Sequence, residues 1–415
     1  MTTDSCTPHP HQLLNISAAL EKIYTAITPL QALETVSLTE ALGRVLAQAL
    51  HSPMAIPPAR NSAMDGYAFR SMDLQRDQAT TLRLSGTSWA GKPYPAQLQP
   101  GECVRIFTGA NLPDEADSVI IQEQVVANAQ QIVLPANTSA HEHIRQIGED
   151  VRQGQLLLSA GKLLQAIDLA LLAATGISSV PVIRRLKIAF CSTGDELVPL
   201  GHTPGAGQIF DSNRYLLRSL LDEPYYQLTD LGILADDAEA LQRAWLDAAE
   251  HYDVLISTGG VSVGDADHVK SVLEQCGAIN FWKLAIKPGK PLAFGKIKHC
   301  WFFGLPGNPV AVFTTYQQIV APALRHFCSM PARQALRFNA HSTQAIKKSA
   351  GRTEFQRGRL QQDAAGGFHV TPTGAQGSNI LSTLSQANCF IILSPETTRV
   401  ATGEVVLVEP FNTWY

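Results

Sequence analysis

An apolar run, Val254-Leu255-Ile256, feeds directly into Ser257-Thr258-Gly259-Gly260-Val261-Ser262-Val263-Gly264-Asp265-Ala266-Asp267, and a helical pattern begins at His268. A strand, a glycine-rich turn and a helix start confine this part of the chain to an α/β unit. Glycines let the backbone approach an anion closely, and the free amides of the helix start point at it. Gly259, Gly260, Ser262 and Gly264 are therefore candidate phosphate contacts. The two carboxylates that close the turn repel phosphate unless a cation lies between them. The segment thus predicts phosphate together with a divalent metal, magnesium (Mg2+) by its taste for carboxylate and phosphate oxygens.

The rhythm from Arg185 to about Phe327 extends this reading. Lys187–Ser192, Tyr226–Leu231 and Asp253–Ser257 read as strands, and Asn213–Leu221 and Ala238–Glu250 as helices between them. Asp211-Ser212-Asn213 supplies capping side chains for the first helix. Short strands follow at 281–284, 292–294 and 300–303, and a closing helix spans 308–325. Strands alternating with helices predict an open, doubly wound α/β sheet with helices on both faces. Its ligand site belongs beyond the C-terminal strand ends. The loops placed there are Thr193 to Glu196, Asp236-Asp237, Thr258 to Asp267 and Leu305 to Pro309.

The flanking regions differ. Leu13, Leu14, Ile16, Leu20 and Ile23 are spaced as a helix, and Leu38, Ala41, Leu42 and Val45 predict another. From Met64 to about Ile144 short apolar pieces alternate with turn residues, which predicts a β-rich module. Residues 165–175 read as a helix with Gly176 as its C-cap. Beyond Pro331, short β-branched segments predict a small β-barrel-like domain. The resulting division is a helical linker unit (1–51 with 146–184), a β-rich domain (52–145), the α/β domain (185–330) and the barrel-like domain (331–415).

With 45% apolar and 16% charged residues, the 415-residue chain can build packed cores. A net charge of −4 argues against a nucleic-acid-coating surface. The seven cysteines form no Cys-x-x-Cys pair, which suits reduced thiols in the cytoplasm. The apolar region 163–183 is interrupted by Gln165, Asp168 and Gly176, too often for a membrane span. No zinc or iron ligand spacing is found among the histidines.

Eight segments occur in an order that identifies a resemblance. They are Asn61-Ser-Ala-Met-Asp-Gly-Tyr-Ala68, Arg105-Ile-Phe-Thr-Gly-Ala110, Gly148-Glu-Asp150, Ser192-Thr-Gly-Asp-Glu-Leu197, Asp211-Ser-Asn213, Ser257 to Asp267, Lys287-Pro-Gly-Lys-Pro291 and Gly304-Leu-Pro-Gly-Asn-Pro309. The chain resembles the molybdenum insertases of molybdenum-cofactor synthesis, the molybdopterin molybdenumtransferase family that includes bacterial MoeA and the gephyrin E domain. The resemblance implies an elongated homodimer. It also implies a reaction in which molybdate enters adenylyl-molybdopterin with magnesium-dependent release of AMP. A molybdopterin adenylyltransferase and other proteins of the same pathway are then the implied partners.

Residue by residue, two readings compete. Asp265, Asp267 and Asp236 are able to cap the helices that follow them; the resemblance assigns Asp236 and Asp267 to the active site. Glu196 is long enough to reach into the cleft and is assigned the proton or metal handling of insertion, whereas Asp195 suits the turn. Asp236, Asp267 and Glu196 are alternative magnesium ligands, and which of them holds the ion stays open. Lys283, Lys287 and Lys290 surround a Pro-Gly turn, either as a solvated cationic loop or as an anion clamp. Thr193 and Gly194 belong to the strand-end rim. Pro306, Asn308 and Pro309 form a rigid turn into the last helix, presenting amides to a ligand. Asp65-Gly66 alone reads as a hairpin turn. The resemblance instead implies that Asp65, Thr108, Arg145 and Asp150 face the α/β domain of a second subunit. It also places Ser378 near the cleft.

Three rivals accompany this assignment. A molybdopterin adenylyltransferase would share the α/β domain but lack the segment 61–68 and the tail. A scaffold would have no use for carboxylates gathered on one rim. A nicotinamide-pyrophosphate hydrolase would match only the α/β domain.

Overall fold

The computed structural model describes residues 13–259, 268–332 and 334–411. Its centre is a six-stranded sheet in the order Tyr226–Leu234, Leu186–Thr193, Val254–Thr258, Cys300–Leu305, Pro291–Ile297 and Gly277–Lys283. The first four strands are parallel, and the last two join antiparallel. Alternation along the strands splits their side chains between two layers. Ile188, Phe190, Val254, Ile256 and Phe303 pack with Leu217, Val310 and Ile319 on one face. Ala189, Cys191, Leu255 and Phe302 pack with Leu241, Trp245 and Ala249 on the other. Both faces are covered, which explains why these strands read as apolar runs rather than alternating ones. The helix Ala238–His251 starts on Asp237, whose carboxylate accepts from Ala240 N at 2.8 Å. The closing helical region runs Pro309–Thr315, a π-helical turn Tyr316–Val320, and Ala321–Phe327.

The β-rich module is a second six-stranded sheet, ordered Ser118–Ile121, Gly66–Phe69, Glu102–Ile106, Thr80–Ser88, Gln131–Leu134 and Val126–Ala127. Gly66 opens a central strand here and is not a hairpin-turn residue. A Cβ at this position would lie 1.9 Å from the Ile120 carbonyl oxygen, so the glycine permits close strand approach.

The N-terminal helix Ile16–Ala26 is capped by Asn15, which accepts from Ala18 N at 2.8 Å. The second predicted helix is absent. Leu33–Ser37 is a strand paired with Ser179–Ile183, and only a 3-10 turn, Leu38–Glu40, follows it. The apolar residues share no helix face. Ala41 joins Leu164 and Leu172, Val45 joins the main core, and Leu42 is 54% exposed. The helix Ala166–Ala174 forms as the spacing suggests.

The C-terminal strands Thr353–Gln362, Phe368–Pro372, Phe338–Ser342, Val405–Pro410 and Cys389–Leu393 close into a five-stranded barrel, because the first pairs with the last. Phe390 and Phe411 pack against Phe313 of the closing helical region, at ring-centroid distances of 5.6 and 4.9 Å. Ile286–Lys287 extends the barrel sheet by pairing with Thr353–Glu354. This link brings the barrel to the strand ends of the α/β domain. Among the described residues no helix is long and apolar enough to cross a membrane. Five of the six described cysteines are buried, and burial pushes the thiols of Cys103, Cys300 and Cys328 up to about 12. They are inert as nucleophiles near neutral pH.

Candidate active site

The C-terminal ends of the four parallel strands converge on a cleft of about 960 Å³, whose opposite wall comes from the barrel. The strand ends are tied together. Ser192 and Thr258 share a hydrogen bond of 3.0 Å between their hydroxyls, the Thr193 hydroxyl donates to Thr258 O at 3.3 Å, and Gly259 N donates to Leu305 O at 3.2 Å. Gly259 has φ +89°, and a Cβ there would lie 2.3 Å from the Thr193 carbonyl oxygen. The glycine is therefore required by both its dihedral and its neighbour.

Thr193, Gly194, Glu196, Asp236 and Gly259 line this cleft from the first three strand ends. Pro306 and Asn308 line it from the fourth, and Lys287 and Lys290 from the Pro-Gly turn. Ser378 enters from the barrel side, where its hydroxyl accepts from Asn308 Nδ2 at 3.1 Å and its carbonyl from Val310 N at 3.2 Å. Pro309, the first residue of its helix, lines an adjoining pocket of about 260 Å³. Lys283 is not among the lining residues. It sits opposite Pro291 in the sheet, with its carbonyl accepting from Leu14 N at 2.8 Å. Gly260, Ser262, Gly264 and Asp267 lie outside the described residues.

Two carboxylates of the rim have the chemistry a hard cation needs. Asp236 Oδ1 is buried and has no hydrogen-bond partner among the described residues. Its backbone is fixed by donation from Asp236 N to Asp195 Oδ1 at 3.1 Å. The Glu196 carboxylate folds over Gly194, so that a Cβ on Gly194 would lie 2.6 Å from Glu196 Oε2. An orphaned buried oxygen and an exposed carboxylate on the same cleft fit magnesium, which completes its shell with water and substrate phosphate. Among the described residues no cluster of three such side chains forms a self-contained metal site.

The barrel contributes residues that sequence reasoning missed. Arg352, Lys347, Glu354, Gln356 and Gln376 also line the cleft. Glu354 is 4% exposed, and both its oxygens lie 3.3 Å from Lys287 Nζ. Gln356 Nε2 donates to Glu354 Oε1 at 3.0 Å. The lining thus holds four cations (Lys287, Lys290, Lys347, Arg352) and three carboxylates (Glu196, Asp236, Glu354). This mixture suits an anion bound together with a metal ion.

Asp65, Thr108, Arg145 and Asp150 do not line this cleft. All four are exposed residues of the N-terminal half. Thr108 donates from both its N–H and its hydroxyl to Asp65 Oδ1, each at 2.8 Å, which holds the Asp65 carboxyl below the usual carboxylate range. Arg145 lies on the next ladder, opposite Asn61. Asp150 N is bound to Ile56 O at 3.0 Å.

Comparison with known proteins gives each part of this architecture a counterpart. Residues 14–176 match the MoeA N-terminal region (domain I and II), residues 189–326 the probable molybdopterin binding domain, and residues 339–411 the MoeA C-terminal region (domain IV). The molybdopterin molybdenumtransferase of Haemophilus influenzae is 43% identical over 91% of this chain and 94% of its own length. That of Nostoc sp. is 34% identical over 90% and 88%. A solved structure of a molybdopterin biosynthesis MoeA protein from Pyrococcus horikoshii superposes with a TM-score of 0.84 at 27% identity, covering 96% of this chain and all of that one. The chain belongs to the MoeA family of molybdopterin molybdenumtransferases.

Proposed function

We propose that this chain is a transferase of molybdenum-cofactor biosynthesis. It inserts molybdenum, delivered as molybdate, into molybdopterin carried as its adenylyl conjugate, and releases AMP. The observation that carries this reading is the convergence of Glu196, Asp236, Gly259, Lys287 and Asn308 on one cleft between the α/β domain and the barrel. Lys287, Lys290, Lys347 and Arg352 supply positive charge for the anhydride and the molybdate, which bind weakly without it. The turn 306–309 and the bond from Asn308 Nδ2 to the Ser378 hydroxyl at 3.1 Å hold the Asn308 side-chain amide in place, so little ordering is needed when substrate arrives.

Magnesium, when bound, neutralises the charge of the anhydride and its leaving group. Asp236 and Glu196 are the described residues that would hold it, and Asp267 is the further candidate. Glu196 is also the residue best placed to hold and return a proton during insertion. The dithiolene sulfurs of the pterin carry the metal, so no cysteine of the chain is needed as its ligand.

Asp65, Thr108, Arg145 and Asp150 are exposed and away from the cleft of their own chain. This supports a homodimer in which they complete the site of the second subunit. The domain division 1–51 with 146–184, 52–145, 185–330 and 331–415 goes with this reading, as does a cytoplasmic location. An adenylyl-transferring enzyme must supply the substrate, because nothing in the reaction itself makes the conjugate.

The test is to incubate purified protein with adenylyl-molybdopterin, molybdate and magnesium. AMP release and a cofactor that activates a molybdenum-free apoenzyme are the expected products. Turnover only with molybdopterin and ATP would assign the preceding adenylylation instead.

A further inference from the structure

Trp89 and Phe107 belong to neither hydrophobic cluster of the β-rich module. Trp89 is 52% exposed, and its indole lies on the Phe107 ring with centroids 4.1 Å apart and planes inclined by 11°. The Arg105 guanidinium stands 5.1 Å from the Phe107 ring and 4.9 Å from that of the buried Tyr67. Contacts thus run from Tyr67 through a cation and a phenyl ring to an indole at the surface. With one face on Phe107, the indole offers its other face to solvent. A fixed, electron-rich face of this kind suits a flat ligand better than it suits water.

The stack is held at both ends. Trp89 N donates to Lys92 O at 3.0 Å and Lys92 N to Trp89 O at 2.9 Å, around Ala90-Gly91. Gly91 supplies the positive φ, +80°, of this tight turn. The Ser88 hydroxyl donates to Asn111 O at 2.8 Å and accepts from Tyr94 N at 3.3 Å, which fixes the base of the hairpin. Arg105 donates to Gly66 O at 3.5 Å and to the Gln122 side-chain oxygen, and Gln122 N donates to Asp65 O at 3.1 Å. Thr108, the residue after Phe107, donates to the Asp65 carboxylate. Indole, guanidinium and the Asp65–Thr108 pair are therefore one connected surface. Like Asp65 and Thr108, neither Trp89, Phe107 nor Arg105 lines the cleft of its own chain.

We propose that the outer face of Trp89 is a stacking site for a flat heteroaromatic ring of the substrate held in the cleft of the second subunit. This rests on the proposed homodimer, which brings Asp65 and Thr108 to that cleft and Trp89 with them. Adenylyl-molybdopterin carries two such rings, adenine and pterin, joined through an anhydride. The exposed Lys92, which closes the turn, and Arg105, beneath Phe107, favour its negative charge. Stacking on an indole accepts either ring, so the two are tested apart.

AMP and pterin-6-carboxylate are titrated separately, by calorimetry, into full-chain wild type, Trp89→Ala and Trp89→Phe. The ring that lies on the indole should bind Trp89→Ala about tenfold more weakly, and Trp89→Phe within about threefold of wild type, because phenylalanine still stacks. The same probe should quench a Trp89 fluorescence component, read as the difference between wild type and Trp89→Phe. Unchanged affinity of both probes for Trp89→Ala overturns the proposal. So does a loss of affinity without quenching, which marks a merely structural effect. Sedimentation accompanies the titrations. A wild-type chain that stays monomeric with the probe bound overturns the placement in a second subunit. A Trp89→Ala monomer beside a wild-type dimer makes the indole a contact between chains and overturns the stacking site. If the probes behave as expected but the protein inserts no molybdenum, the functional reading fails and the stacking site stands.

Discussion

Gly259→Ala is the substitution whose effect the geometry determines most closely. The new Cβ would lie 2.3 Å from Thr193 O and 3.0 Å from Thr193 Oγ1, far inside normal contact. Thr193 cannot retreat freely, because it pairs with Leu234 while Ser192 pairs with Thr258. The φ of +89° adds about 1–2 kcal/mol for a residue with a side chain. Overpacking adds about 1–3 kcal/mol, so the expected destabilisation is roughly 2–5 kcal/mol. At about 3 °C per kcal/mol for a unit of this size, the α/β domain should melt roughly 6–15 °C lower. Trp245, Trp282 and Trp301 all pack in this domain, so tryptophan fluorescence follows its unfolding. Turnover should collapse with it, since the same clash spreads the two loops that carry Gly259 and Glu196. Gly307→Ala is the internal control. Among the described residues the only atom within 4 Å of its added Cβ is Gly259 Cα at 3.9 Å, and its φ is not positive. That variant should melt within about 1 kcal/mol of wild type. A Gly259→Ala protein that melts normally and keeps more than half its turnover would refute the argument, as would equal damage from Gly307→Ala.

Other perturbations test separate parts of the site. Glu196→Gln should lower turnover by about a hundredfold or more while leaving AMP affinity within a factor of three; a normal rate removes its proton role. Lys287→Met should weaken molybdate binding both by losing a cation and by exposing the Glu354 charge. Adding Glu354→Gln should recover roughly fivefold, about 1 kcal/mol once the 46% exposed Lys287 side chain is discounted for screening. No recovery in calorimetry would mean that Glu354 does not oppose the anion. In the β-rich module, burial raises the Asp117 carboxyl, but the Ser71 hydroxyl and N–H, both at 2.6 Å, outweigh it and leave the pKa lowered. A depressed folded pKa contributes stability that is present above the unfolded value, near pH 4, and is lost as pH falls through the folded one. Ser71→Ala should therefore move acid unfolding to higher pH, read by circular dichroism; an unchanged midpoint contradicts the assignment.

The α/β half of the site was legible because a parallel sheet leaves little choice. Once strands at 187–192, 226–231 and 253–257 are recognised, their following loops must share one rim, and Glu196, Asp236 and Gly259 do share it. The misread helix at 38–45 shows the limit of spacing alone. Its apolar residues have helical intervals but belong to different clusters, and no sequence pattern records which core a residue will join.

The barrel wall was hidden for a related reason. Glu354 and Gln356 look like the solvent face of an alternating strand, yet each is 4% exposed, because Ile286–Lys287 pairs with Thr353–Glu354 and brings them over the cleft. That pairing joins segments 67 residues apart, so local pattern carries no trace of it. It also separates the lysines. Lys283 ends the strand Gly277–Lys283 and is held by Leu14, whereas Lys287, only four residues on, has crossed into the barrel sheet and meets Glu354. Proximity in sequence groups them as one clamp, yet the change of sheet between them sets the Lys283 backbone in the linker contact and puts Lys287 on the cleft lining. The site is thus made by domain docking as much as by strand ends. Changes at the barrel junction should therefore alter oxyanion affinity before they alter the α/β fold.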